Sequence, residues 1–478
     1  MRKTKIVATL GPALDDRDKL RAALEAGIDV VRLNFSHGSH DTHARRLRDV
    51  RELSTRLDRN IGVLADLQGP KIRLGTVPGD GISLEDGSEI TLIPGREHLD
   101  SYGSEGHVAL PVVYEALGRD CEPGAMILID DGSIRLVVSR ASADEVTARV
   151  VAGNVAKSRK GVNLPGVAVS AACLTPKDEE DLRVAIDLGC DWLALSFVRR
   201  PQDVEMARSR VHQHGGEAPL VAKLERPEAI ENLESIVSAS DAVMVARGDL
   251  GVEIGPERVP AIQKQIIAEA NARYKPVITA TEMLDSMINS PRPTRAEASD
   301  VANAIWDGTD AVMLSGETAA GKYPVEAVRT MARIIEVAEA SPHLVDPVDR
   351  PTADSVSRVV AQAAVAVARD VHATVLAIYS ITGSSIERVS KMRPDVRLIG
   401  LTPHDAARRR TALMWGAEAL LVPMKSESMA LISSAERVLV DGGYAAHGDR
   451  VVIVSGTAGS SGGTNRIYVH RIGDPLQR

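Results

Sequence analysis

The sequence predicts a (β/α)₈ barrel interrupted by an all-β insertion and followed by an open α/β domain. Three observations carry that prediction. Eight short β-branched runs alternate with amphipathic stretches through the first two thirds of the chain. A turn-rich interval of different texture separates the third run from the fourth. Setting that interval aside as 71–162 leaves 1–70 and 163–340, about 250 residues together, the usual size of such a barrel.

The runs fall at 5–11, 30–36, 61–69, 192–198, 220–225, 242–249, 276–283 and 311–317. Their continuous apolar character suits parallel strands covered by helices. Helical stretches at 15–26, 42–58, 177–188 and 325–340 lie between or after them, with Pro176 and Pro324 opening two of these, as Pro does in a first turn. Inside 71–162, Pro-Gly and Asp-Gly pairs punctuate short alternating runs at 88–93, 126–129 and 134–138, the pattern of a small β domain. A linker with three prolines spans 341–351. The remainder of 341–478 carries strands at 374–379, 396–401, 418–422, 451–455 and 466–471, alternating with helices except for the last pair. A Gly/Ser-rich loop at 456–463 joins that pair.

Composition excludes several functions. The 478 residues carry a formal charge of −8 and only 3% aromatics. Nucleic-acid binding wants clustered cations and stacking rings, so no such partner is expected. No run approaches the ~20 apolar residues of a membrane span, and the start has no apolar signal core. Cys121, Cys173 and Cys190 lack metal or disulfide spacing, which places the chain in a reducing cytoplasm.

Barrel enzymes work where strand C-termini meet their loops, and strand residues i and i+2 share a face. Arg32, Asn34 and Ser36 end the second run, Asp66 the third, Lys223 and Glu225 the fifth. Arg247 and Asp249 end the sixth, Thr279 and Thr281 the seventh, Ser315 and Glu317 the eighth. Glu225 and Asp249 lie one βα unit apart. Two such carboxylates converge on a hard cation such as Mg²⁺, or else form structural ion pairs with Lys223 or Arg247. Lys223 suits stabilisation of a transferring phosphoryl group, or a salt bridge to Glu225. Arg32 and Arg73 offer guanidinium forks for phosphate or carboxylate. His37 lines a nucleotide site or is a solvated loop residue. The stretch 316–323 (GETAAGKY) has Gly and Lys at phosphate-loop spacing but Tyr where Ser or Thr is needed, so a helix start is the simpler account.

At these residues the chain resembles the pyruvate kinase family. The resembling blocks are 4–12 (TKIVATLGP), 31–38 (VRLNFSHG), 160–166 (KGVNLPG), 245–252 (VARGDLGV), 293–303 (PTRAEASDVAN) and 310–318 (DAVMLSGET). The resemblance covers nearly the whole chain and implies phosphoryl transfer from phosphoenolpyruvate to ADP. It implies Glu225 and Asp249 as ligands of Mg²⁺ (or Mn²⁺), and Lys223 as the residue that stabilises the phosphoryl group and the enolate. It puts Arg32, Gly248, Asp249, Thr281, Ser315 and Glu317 around the substrate, with Thr281 where the enolate is protonated. Asn34, Phe35, Ser36, His37, Arg73 and Lys160 match nucleotide positions. The insertion becomes a lid that excludes water.

One departure has a direct consequence. Potassium-dependent members read DTKGPE at the third strand end, and this chain reads DLQGPK at 66–71. The family's K⁺ positions Asn34, Ser36 and Asp66 remain, but Lys71 brings an ammonium in place of the cation, so K⁺ is not expected to be required. The C-terminal domain resembles the family's regulatory domain. Its loop Thr382, Gly383, Ser384 and Ser385 offers N–H groups and hydroxyls to a phosphorylated effector, or simply caps a helix. The loop at 456–463 lies where members close over such an effector. A homotetramer of D₂ symmetry is the family expectation. A Mg²⁺-dependent lyase or aldolase would share the carboxylate pair but needs neither Lys160, Arg73 nor a lid. A catalytically dead relative would have lost Lys223, Glu225 or Asp249.

Overall fold

The computed structural model describes residues 2–104, 107–341, 355–423, 425, 427–456 and 464–475. Eight parallel strands close into a barrel: Lys5–Thr9, Val30–Asn34, Gly62–Asp66, Trp192–Leu195, Leu220–Leu224, Ala242–Ala246, Val277–Ala280 and Ala311–Leu314. Each pairs with its barrel neighbour, and the eighth pairs with the first through Lys5↔Ala311 to Ala8↔Leu314. The third and fourth pair directly, Leu64 opposite Trp192, although more than a hundred residues of chain separate them.

The helices of the outer ring start where their sequence says they should. Asp16 accepts from the Lys19 amide ahead of Arg17–Ala26. Thr175 and Asp178 form a reciprocal capping box around Pro176–Asp187. Pro324 opens Pro324–Glu339.

The barrel interior is layered. Val7, Val30, Leu64, Ala194 and Val221 belong to one buried cluster at its lower end. Two residues further along the same strands, on the same face, stand Thr9, Arg32, Asp66, Ser196 and Lys223. An apolar floor therefore lies beneath a polar layer that opens at the C-terminal mouth. Ala412 and Leu413 of the C-terminal domain join the apolar cluster and stop the barrel from below.

The insertion forms a seven-stranded sheet and a two-stranded one. Its core is aliphatic and takes in Leu164, Val167 and Val169 of the segment returning to the barrel. The C-terminal domain has a five-stranded sheet. Ala417–Leu421, Arg397–Thr402, Val375–Tyr379 and Arg450–Gly456 run parallel, and Thr464–Arg471 is antiparallel at the edge. Cys121, Cys173 and Cys190 are buried and free. The loop expected at 456–463 and the linker expected at 341–351 lie almost wholly outside the described residues. Among the described residues, no helix is long and apolar enough to cross a membrane.

Candidate active site

Lys223 is the centre of the polar layer. Its Nζ donates to Ser196 Oγ at 2.6 Å and lies 3.3 Å from Glu225 Oε2 and 3.6 Å from Asp66 Oδ1. Ser196 passes the restraint on, donating to the Leu67 carbonyl at 2.7 Å. Burial alone would lower the Lys223 pKa; the carboxylates of Asp66, Glu225 and Asp249 overcome it and hold the ammonium above its ordinary range. Asp66 shows the mirror effect. Burial would raise its pKa, but Lys223 and Arg32 pull it below the usual value. Its second oxygen accepts from Arg32 Nε at 2.6 Å, and Arg32 also donates to Thr9 Oγ1 at 3.0 Å. Asp66 thus fixes two cations side by side at the mouth.

Glu225 is fully buried. Its Oε1 accepts from the Phe197 amide at 2.6 Å, while Oε2 has no hydrogen-bond partner. Phe197 reaches that position with a left-handed backbone, φ +57°. Burial and the neighbouring Asp249 push Glu225 up to about 7, against the pull of Lys223. A buried carboxylate oxygen that accepts no hydrogen bond and is only ion-paired to Lys223, beside a second carboxylate, fits a hard divalent cation.

The sixth and eighth strands end sooner than the alternation argument requires. The sixth stops at Ala246, and Arg247, Gly248 and Asp249 form the first turn of a helix, Arg247–Ile254. The eighth stops at Leu314, and Glu317 lies in the short helix Gly316–Ala319. Shared strand face therefore does not relate Arg247 to Asp249, or Ser315 to Glu317; the chain must turn outward at the mouth, and a helical turn does it. Arg247 points away from the mouth's centre. It grips the seventh-strand end at the Thr281 carbonyl (2.7 Å) and pairs with Asp300. Gly248 presents its amide to Thr281 Oγ1 at 2.8 Å, and a Cβ there would stand 3.4 Å from that oxygen. Thr281 itself is strained, φ +67°, with Glu282 following at +54°.

Glu317 is buried and turned to its own loop, accepting from the Ser315 and Leu284 amides at 2.7 and 3.0 Å. It ties two loops together and does not project into the mouth. Ser315 Oγ is buried at the strand end without a partner. Phe35 departs from expectation in the same way. Its ring is buried in the barrel's outer core and stacks on His43, centroids 4.4 Å apart, because an aromatic ring after a strand end packs inward. Asn34 accepts from the Ser36 amide, shaping the turn, and His37 is exposed beyond it. Partial loss of water around its ring, together with Arg73, Lys71 and Arg32, lowers the His37 pKa.

Insertion and barrel line a cleft of about 200 Å³, whose walls include Lys71, Arg73, Lys160, Phe197 and Asp249. Lys160 pairs with Asp130 of the lid at 2.8 Å, and Arg73 donates to the Arg159 carbonyl at 3.1 Å. In the C-terminal domain, Gly383 has φ +94° and caps Ser384–Ser390. Ser385 is not open to a ligand: its buried hydroxyl bonds Thr464 Oγ1 at 2.6 Å across to the edge strand. Thr382 is exposed, with its hydroxyl on Ser384 Oγ.

Sequence reasoning missed Ser196, although a lone hydroxyl ending the apolar run LALSF was a readable signal. It also gave Asp66 too small a part. Arg226 and Glu253, which pair at 2.7 Å beside the carboxylates, left no signal beyond their charge.

Buried cations facing a carboxylate pair at a barrel mouth, beside a cleft lined by an inserted β domain, define an enzyme that handles anionic substrates. The chain matches the pyruvate kinase barrel domain over residues 1–328 and the pyruvate kinase alpha/beta domain over 358–470. It is 45% identical to a pyruvate kinase of Mycobacterium intracellulare over 99% of both chains, and 44% identical to one of Corynebacterium glutamicum over 99% of this chain and 98% of that one. A solved pyruvate kinase from Cryptosporidium parvum superposes with a TM-score of 0.90 at 34% identity, covering 98% of this chain and 96% of its own. The chain belongs to the pyruvate kinase family. It is a phosphotransferase, moving the phosphoryl group of phosphoenolpyruvate to ADP to give pyruvate and ATP.

Proposed function

We propose that the residues at the barrel mouth divide that reaction as follows. Arg32 and Lys223 receive the substrate's phosphoryl oxygens. As the bond from phosphorus to the enol oxygen breaks, charge develops on that oxygen and on the group in flight, and the Lys223 ammonium faces both. The ADP terminal oxygen forms the new bond to phosphorus. The enolate left behind takes a proton at carbon from the Thr281 side, through water, and becomes pyruvate. The Gly248 amide keeps Thr281 Oγ1 oriented. The observation that carries this reading is Lys223, buried yet charged, fixed on Ser196 between Asp66 and Glu225.

Glu225 and Asp249 would hold Mg²⁺ or Mn²⁺, and Glu225 Oε2, which accepts no hydrogen bond and has only the Lys223 ammonium beside it, supports this. Such an ion supplies neutralisation of phosphate and carboxylate charge during transfer. K⁺ is not required in this reading, because Lys71 lines the same cleft. Asn34, Ser36, His37, Arg73 and Lys160 take the nucleotide, Phe35 contributing only backbone. Residues 71–162 act as the lid, excluding water that would compete with ADP. The barrel portions 1–70 and 163–340 carry the chemistry, and 341–478 regulates it. A phosphorylated effector would meet Thr382, Gly383 and Ser384, with Ser385 withdrawn onto Thr464. A cytoplasmic homotetramer is the proposed state; Val356 and Val359, exposed one turn apart on Val356–Asp370, suit a further contact.

A coupled assay with phosphoenolpyruvate, ADP and Mg²⁺ tests the core of this. The wild type turns over, and Lys223→Met loses on the order of 10²–10³-fold in kcat, the size expected for removing one fixed charge from a transition state. An unaffected mutant contradicts the assignment.

A further inference from the structure

The lid returns to the barrel through an extended strap, 167–171, and that strap is held from both sides. From the barrel, Arg199 donates to the carbonyls of Val169 and Ala171, and Arg226 donates to the carbonyl of Val167 at 3.1 Å. From the lid, Asp120 accepts from the Ser170 amide at 2.9 Å and its hydroxyl at 3.1 Å, with Tyr114 on the same carboxylate. The strap thus turns the carbonyls of residues 167, 169 and 171 to the barrel, while the Val167 and Val169 side chains pack into the insertion's core and Ser170 bonds Asp120.

Arg226 does more than hold the strap. It directly follows Glu225, and it is almost fully buried. Its guanidinium pairs with Glu253 Oε1 at 2.7 Å. Glu253 lies on Arg247–Ile254, one turn after Asp249 and on the same helical face. Asn163, just past the insertion at the end of the edge strand Val162–Asn163 of its sheet, donates to the same Glu253 oxygen at 3.3 Å. One planar, buried guanidinium therefore joins three things: the loop bearing Glu225, the helix bearing Asp249 and the strap that leads out of the insertion. A rigid fork transmits displacement in a way that a flexible ammonium does not.

We propose that Arg226 is a positioning residue that, through Glu253 and the Val167 carbonyl, sets the separation of Glu225 and Asp249 according to the position of the lid. This rests on the reading of those two carboxylates as the metal ligands. The site then assembles fully only when the lid holds the strap as it stands here, which links metal affinity to closure.

The test uses the full-length enzyme and Mn²⁺ alone, titrated by the loss of the free-ion electron paramagnetic resonance signal, beside the steady-state assay. Because Arg226→Met strands the buried Glu253 carboxylate, the main variant is the double replacement Arg226→Met with Glu253→Gln, which removes that charge with the guanidinium and leaves only the partly exposed Glu228, 3.5 Å from Arg226 Nε, without its cation. It is expected to weaken Mn²⁺ binding about tenfold or more and to lower kcat, with its thermal midpoint near that of the wild type. Arg226→Lys, which keeps a charge for Glu253 but not the fork, falls between the two. Asp120→Asn, which loosens the strap from the lid side, is expected to weaken Mn²⁺ binding several-fold although Asp120 lies in the lid. Glu225→Gln separates the two readings. If it loses Mn²⁺ binding while the double variant and Asp120→Asn bind like the wild type, the coupling is wrong and the metal assignment stands. If Glu225→Gln itself binds Mn²⁺ normally, the metal assignment fails and the coupling with it.

Discussion

A buried lysine ordinarily surrenders its proton, yet Lys223 keeps it because the carboxylates of Asp66, Glu225 and Asp249 outweigh the loss of water around it. Its partner Glu225 could be read from sequence, since i and i+2 on a strand must share a face. What residue type does not reveal is direction. Phe35, Glu317 and Ser385 have plausible chemistry and are nevertheless turned into the core or onto a neighbouring loop or strand. Lys71 is the opposite case, an exposed cation on the cleft wall near His37. With a fixed positive charge supplied by the chain, the wild type is expected to keep more than about a tenth of its rate in a K⁺-free tetramethylammonium buffer. Lys71→Glu removes that charge and restores an acidic side chain. It is expected to lose on the order of tenfold or more in that buffer and to recover when K⁺ is added, measured as kcat against K⁺ concentration. A Lys71→Glu enzyme indifferent to K⁺ sinks the substitution argument.

The helices and strands were legible because their signals are redundant: apolar strand runs, amphipathic stretches between them, Pro at first turns. Their ends were not, because a barrel strand and the helical turn that follows it share one composition. Gly248 and Asp249 read as strand and fold as helix, so the two carboxylates meet by a turn of helix and not by register. The cap of Arg295–Trp306 shows how an element end serves the mouth. Thr294 and Glu297 form a capping box, and Glu297 also accepts from the Ser286 amide at 2.7 Å and its hydroxyl at 2.6 Å. One carboxylate thereby starts a helix and fixes the loop that follows Thr281. Thr294→Ala is expected to cost about 1 kcal/mol of stability with kcat nearly unchanged. Glu297→Ala loses the loop contacts as well. It is expected to cost about 1–3 kcal/mol and to raise KM for phosphoenolpyruvate several-fold. Thermal unfolding and steady-state kinetics on both variants check the split; equal kinetic effects would show that the cap alone matters.

The barrel and the C-terminal domain meet at the barrel's lower end, where Ala412 and Leu413 complete the apolar floor and a buried charge cluster sits beside it. Lys391 lies against Asp310 Oδ2 at 2.5 Å and Arg393 against Oδ1 at 3.0 Å, while the Val277 amide donates to Oδ2 at 2.8 Å. Asp310 opens the eighth barrel strand, so the cluster joins the C-terminal domain to the same strand that ends at Ser315. Two cations share the Asp310 carboxylate, with Glu387 near Lys391 and Glu339 near Arg393 as further acidic neighbours, and Lys391 is shut off from water. Burial accordingly pushes Lys391 down to about 8, with Arg393 adding to the fall and Asp310 and Glu387 opposing it. The sign of the consequence follows from proton counting. Unfolded, Lys391 binds its proton up to about 10.5, whereas folded it releases it from about 8. Between those limits the unfolded chain holds more protons, so this residue's contribution to stability rises with pH, by up to about 1.4 kcal/mol per unit. Below pH ~8 the cost of the buried ammonium is present in full. Lys391→Met has no such titration. The wild type's apparent thermal midpoint, taken relative to that variant, is therefore expected to climb between about pH 7.5 and about pH 9.5. A difference that stays level across that range, or falls, would falsify the assignment of a depressed lysine to this interface.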